Sequence, residues 1–317
     1  MSYRFRPWQL AAALIAVCAI VVGAVIWLRQ SRKLSSSELF ASLPPGQGVL
    51  FFVNTADLRD AGVLDALFGK TVNEEAEYRD FVAQTGFDYK TDLDQVLAKV
   101  TEDGSYFVVN GKFDWARLMQ YAIRTGGNCH NGFCRVQGSQ PRRQISFYPI
   151  RSHVMALAVA RIDDAARNIV LRSGSAKAEL PSDPLWLKAP GESVRNYSKL
   201  PEGTLQFARV FAKADSVLVT FGPDHDSFVA GVQVECKNAE DAAILKTQLE
   251  ELTGIVKKMI AQEKKAPSPG DLSGVLTQGT FERKNTMVIG HWPISRTFLD
   301  ILSDKPYGPF DTPQPVR

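Results

Sequence analysis

Between Trp8 and Leu28 the chain carries one polar side chain, Gln9, and no charge. A helix rising about 1.5 Å per residue crosses a hydrocarbon core about 30 Å thick over such a run. It also satisfies its own backbone hydrogen bonds, which lipid cannot do for it. Trp8 and Trp27 sit near the ends, where amphipathic rings prefer the headgroup level. The pattern predicts an N-terminal transmembrane helix within residues 1–34, a polar stalk at 35–42, and a folded body beyond. A cleaved signal fits less well. Its apolar core spans about 7–15 residues before a small-x-small site, and Leu39-Phe40-Ala41 has Leu where a small residue is wanted. A lipoprotein signal needs a small residue before Cys18, and Val17 stands there. A buried core helix of this length would rarely lack a polar edge.

The body reads as short apolar runs separated by turn residues. Val49 to Asn54 and Tyr106 to Asn110 are strand-like. Asp57 to Phe68, Glu74 to Thr85 and Asp92 to Val100 show helical spacing. Asp114 is a good N-cap for a helix from Trp115 to Arg124. Ile145 to Ile150 and Val154 to Ala160 make a hairpin, and Asp163 opens a helix to about Leu171. Ser173 to Lys199, with Pro181, Pro184 and Pro190, is the expected linker, Trp186 and Leu187 tucking against the body. Strands follow at Leu205 to Phe211 and Val217 to Phe221. From Phe228 to Cys236 apolar and polar residues alternate, as in a strand with one wet face. Asn238 caps a long helix whose Leu245, Leu249, Leu252, Val256 and Met259 form a seam fit for a sheet or a partner helix. Val275 to Phe281 and Thr286 to His291 make a second hairpin around Arg283-Lys284, before a helix from Ser295 to Leu302. The Pro-rich tail, 304–317, is expected to be disordered or draped.

Both halves open on Leu-Pro-x-Gly, at Leu43 and Leu200, and then run strand, insertion, strand, helix, hairpin, helix. The expected fold is α+β: an N-terminal transmembrane helix followed by two βαββα-type modules, 43–172 and 200–303, each an antiparallel-rich sheet with helices on one face. The anchor, the Leu-Pro-x-Gly openings and the segments FDYKTDLDQVL and VVNGKFD resemble those of uncharacterised bacterial single-pass envelope proteins with such repeats. The likeness covers most of residues 43–303 and implies no activity.

A net charge of +3 and no basic run interleaved with aromatics give no footprint for nucleic acid. The cluster from Arg29 to Lys33 suits anionic headgroups instead. No catalytic, cofactor or metal residue is assigned. Gly69-Lys70-Thr71 ends like a phosphate loop, but Leu64 stands where that loop needs Gly. Asp224-His225-Asp226 follows Gly222-Pro223 and reads as a solvated turn. The histidines, His130, His153, His225 and His291, belong to no HExxH, and no Gly-x-Ser-x-Gly elbow occurs. Asp88, Asp92 and Asp94 lack the Gly of a calcium loop. Asn196-Tyr197-Ser198 is a glycosylation acceptor only in a eukaryotic secretory setting. The expected function is a non-enzymatic binding or scaffold protein of the bacterial cell envelope, anchored in the inner membrane through residues 8–28, with an envelope protein or ligand as partner. The alternative is an anchored hydrolase with a site between the modules, in which His225 or His291 would meet an acid and a nucleophile.

Orientation turns on Cys129 and Cys134. Basic residues flanking the anchor are near balance and slightly favour a cytoplasmic body. Asn131-Gly132 is the strongest short hairpin signal, and as a two-residue loop it sets Cys129 opposite Cys134 in a non-hydrogen-bonded pair. Their Cα atoms would then be about 4.5 Å apart, inside disulfide range. A bridge there favours a body outside the cytoplasm. Haem attachment needs two residues between the cysteines and a His after the second, and zinc needs two more ligands.

Overall fold

The computed structural model describes residues 35–68, 76–138, 143–171, 179–195, 211, 213–225, 227–262, 267, 268 and 270–304. The anchor run, Gly69-Lys70-Thr71, Asn196-Tyr197-Ser198, Asp226, the expected strand from 205 as far as 210 and the tail beyond 304 lie outside them. Among the described residues no helix is long and apolar enough to cross a membrane.

The body is α+β around one large antiparallel sheet. Its strands are β1 (Val49–Asn54), β2 (Leu93–Val100), β3 (Gly104–Gly111), β4 (Asn128–His130), β5 (Phe133–Gln137) and β6 (Gln144–Arg151), then β7 (Val154–Ala160), β8 (Leu185–Pro190), β9 (Ala214–Asp224), β10 (Ser227–Cys236), β11 (Thr280–Lys284) and β12 (Met287–Ile294). They form a 12-stranded sheet in the order β11-β12-β10-β9-β8-β1-β2-β3-β7-β6-β5-β4. β1 and β8 pair antiparallel in the middle, Phe52 opposite Trp186. From that seam outward the halves read alike: β1-β2-β3-β7-β6 on one side, β8-β9-β10-β12-β11 on the other. In each, a helix leaves the third strand and the chain returns as a hairpin whose second strand pairs with the third. These helices are Trp115–Arg124 and Ala239–Gln262.

β8 lies inside the stretch read as a linker. Two-sided pairing hides its prolines at the margins: Pro184 precedes the strand and Pro190 ends it. Trp186 is fully buried there and stacks on Phe52 at 5.5 Å. β2 replaces the helix expected from Asp92 to Val100. Consecutive Leu97, Ala98 and Lys99 are all buried, because a central strand is covered on both faces and loses its alternation. The helix expected after Asp163 shortens to a 3-10 turn, Ala165–Asn168. Residues 272–277 are helical, capped by Asp271, and the hairpin after them turns at Asn285-Thr286.

Cross-strand register puts Phe52, Leu97, Val108, Ala156 and Trp186 on one face. Leu39 of the Ser36–Ser42 helix, Leu43 just after it, and Ala165, Ala166 and Ile169 cover them. Lys99 is buried beside this core and donates to the carbonyls of Pro44 (2.8 Å) and Gly46 (2.5 Å), which pins the first Leu-Pro-x-Gly turn. Both long-connection helices lie on the opposite face. Ala122 packs on Cys134 and Phe147, and Ala242 and Leu245 pack on Val217, Val234 and Val288. Of the face expected to be wet on β10, Gln233 is exposed, Glu235 half-buried and Gly231 buried against Thr220, while Phe228, Val234 and Cys236 are buried on the other. The Leu245–Met259 seam divides. Leu245 is 4% exposed on the sheet, whereas Met259, near the helix end, is 61% exposed.

Candidate functional site

Cys129 and Cys134 face each other across β4 and β5 and are joined by a disulfide, Cα atoms 4.1 Å apart. Asn131 (φ 50°) and Gly132 (φ 78°) hold the positive φ values that a two-residue turn of this hand requires. Phe133 next to the bridge is clamped: the guanidinium groups of Arg135 and Arg167 lie 4.9 and 4.8 Å from its ring centre, and Tyr148 stacks on it. The pair is therefore structural, at the outer edge of the sheet. The third thiol described, Cys236, is buried, and burial pushes its pKa up.

The structure keeps the expected histidines apart. His225 stands at the β9–β10 turn with a 96% exposed side chain, and Asp224 lies 3.9 Å away. His291 is exposed on β12, opposite Gly231 and Thr280. His130 is exposed at the tip of the disulfide hairpin. Neither His225 nor His291 meets an acid and a nucleophile together, so the geometry expected of a hydrolase between the modules is absent among the described residues. No group of three or more His, Cys, Asp or Glu residues fit for a metal occurs among them either.

His153 is placed differently. It lines an open cleft of about 640 Å³ with Ser152, Asp92, Lys112, Phe113, Asp114 and Trp115, floored by Gly86 and Gly111. Three strand ends make this cleft: the start of β2, the end of β3 and the β6–β7 turn. Gly111 is needed where the backbones close in, since a Cβ there would lie 2.5 Å from the carbonyl oxygen of Asp92. Asp114 caps the 115–124 helix by accepting from the Arg117 N–H at 3.1 Å. The Trp115 indole N–H donates to the Ser152 carbonyl at 2.7 Å, fixing the ring. Lys112 Nζ donates to the Thr91 carbonyl at 3.2 Å, and Asp92 accepts from the Asp88 N–H at 2.9 Å. Lys112, Asp92 and Asp114 are thus oriented, and each keeps further donors or lone pairs for a ligand.

Aromatic rings back the cleft. Phe113 stacks on Phe87 at 5.3 Å, Phe87 meets Phe81 edge-on, and Phe81 meets Tyr121 at 5.2 Å. Beside them Tyr78 donates to Asp88 at 2.8 Å; burial and that carboxylate push its pKa well up. FDYKTDLDQVL and VVNGKFD, on the two arms of the β2–β3 hairpin, meet here. Sequence reasoning saw Asp92 and Asp114 only as helix-end carboxylates. The available signal was the density of Phe, Tyr and Trp around both.

No protein-family model matches the chain. No curated protein matches it either. Among solved structures it is similar to TP0453 in crystal form I, with a TM-score of 0.46 and 10% identity over 87% of this chain and 100% of that one. Crystal form III of the same protein gives 0.44 and 9%, over 86% and 99%.

Proposed function

We propose that this chain is a membrane-anchored, non-enzymatic binding or scaffold protein of the bacterial cell envelope, held through residues 8–28 with its body outside the cytoplasm. The disulfide carries the reading. Structural disulfides persist in oxidising compartments and are rare where thiols are kept reduced. His225 and His291 stand away from the cleft between β2, β3 and the β6–β7 turn, which is the surface on which binding would occur. Thiol alkylation of the protein in intact membranes, without reductant, followed by mass spectrometry tests the location. Cys129 and Cys134 should resist labelling until reduced. Free labelling of both would overturn the extracytoplasmic body and return the chain to the cytoplasmic side. For the anchor, a fragment lacking residues 1–34 should leave the membrane fraction, and its retention there would defeat a single anchor.

A further inference from the structure

The two halves present one backbone junction twice, with different side chains. At the end of β3 the Gly111 N–H donates to the His153 carbonyl at 3.0 Å; at the end of β10 the Cys236 N–H donates to the Thr286 carbonyl at 2.9 Å. Gly111 pairs with Leu93 and Asn110 with Gln95, skipping Asp94 in a bulge. Cys236 pairs with Ala214 and Glu235 with Ser216, skipping Asp215. This matching sets Asp92 against Lys213, His153 against Thr286, and the caps Asp114 and Asn238 against each other. Three residues beyond the caps stand Arg117 and Asp241.

In the second unit the junction is shut. Lys213 Nζ meets Asp241 at 2.6 Å, and Thr286 Oγ1 donates to Glu235 at 2.5 Å. In the first unit the charges are reversed and the pair is not made: Arg117 turns to Asp114 at 3.4 Å. Asp92 is left lining the cleft, with Phe113 and Trp115 beside it. The second unit builds the same junction with Lys213 and Asp241 paired, so the wiring does not demand that Asp92 and Arg117 stand apart. We infer that this cleft is a saccharide-binding site, deepening the binding reading given above. Ring faces attract the C–H faces of a sugar by dispersion and the hydrophobic effect. The Asp92 and Asp114 carboxylates accept from hydroxyls, and Lys112 and Ser152 donate to them. Lys112 in the cleft and Arg117 on Asp114 balance the two carboxylates, and a lining without net charge suits a neutral polyhydroxyl compound. The volume falls within the usual range for small-molecule sites, about 300–1,000 Å³.

The test uses the full chain in a detergent without a sugar headgroup, titrated with chitotetraose and with cellotetraose and followed by saturation-transfer NMR. Saturation transfer to at least one probe is expected. Trp115→Ala should weaken it by about tenfold, the loss of one ring contact with its buried area. Asp92→Asn should weaken it less, and Lys213→Met at the second junction should leave it unchanged. Near-UV circular dichroism checks that each variant is folded. Absence of transfer from the wild-type chain to both probes, or equal affinity of a folded Trp115→Ala variant, overturns the inference. Neither result bears on alkylation of Cys129 and Cys134, so failure here and failure of the envelope assignment are separate.

Discussion

In the first unit the sheet ends on β4, a three-residue strand tied to β5 by the disulfide. In the second it ends on β11, where Glu282, Arg283 and Lys284 stand exposed in a row. An open edge is a template for pairing with another chain, and short or charged edge strands both discourage it. The same liability at two ends of one sheet is thus met by unrelated chemistry. The returning chain differs too. After β7 it covers the face that holds Phe52 and Trp186, whereas after β12 the 296–304 helix crosses to the other face, with Leu299 packed near Val53 and Leu64. Strand order is fixed by the wiring; edges, covers and junctions are free to diverge.

The largest test of that comparison is at the seam. Trp186→Ala removes the largest fully buried side chain and should cost about 3–5 kcal/mol. Because β8 of one half pairs with β1 of the other, the two units should unfold together in denaturant. Two separated transitions in the wild-type chain would break the picture of one body.

Gly111→Ala probes the matched junctions. Its Cβ would meet backbone, whereas the equivalent Cys236 already carries a side chain in the core. A loss of about 1–3 kcal/mol is expected for Gly111→Ala in equilibrium unfolding. A neutral result would mean that the β2–β3 junction is looser than its geometry.

Removing the bridge with Cys129→Ser and Cys134→Ser together should cost roughly 2 kcal/mol, since the closed loop is short. Faster amide exchange should stay confined to β4 and β5. Spread of that exchange into β10 or β12 would couple two edges that the structure keeps apart.

The smallest effect is alkaline. Tyr78 ionises near pH 10 in the unfolded chain, while the folded chain holds its phenol protonated beside Asp88. The stability from this difference is complete below pH 10 and is lost as the pH rises toward the higher folded value. Tyr78→Phe should flatten that part of the stability curve, and an unchanged curve would show that the phenol is not held as described.

Local chemistry made some of this legible. Asn131-Gly132 specified a turn, a register and hence a disulfide; the alternation from Phe228 to Cys236 specified a buried face; Asp114 specified a helix start. What failed was burial on both sides. In β2, Leu93, Val96 and Leu97 fit a helical stripe, and period two disappears where Leu97, Ala98 and Lys99 are buried in succession. In β8 the flanking prolines read as a linker because pairing partners far along the chain cannot be seen locally. The cleft escaped for a related reason: Asp92, Trp115 and His153 are brought together by strand order, and no spacing within one segment carries that information.

The central place of β1 also has a mechanical meaning. The chain enters the sheet at Val49, and β1 is paired along its length with β2 and β8. A pull on the N-terminal end, directed along the strand, therefore loads both ladders in shear, many hydrogen bonds at once. An edge strand pulled sideways would open one bond at a time. A tether attached at this end hangs its load from a strand gripped on both sides.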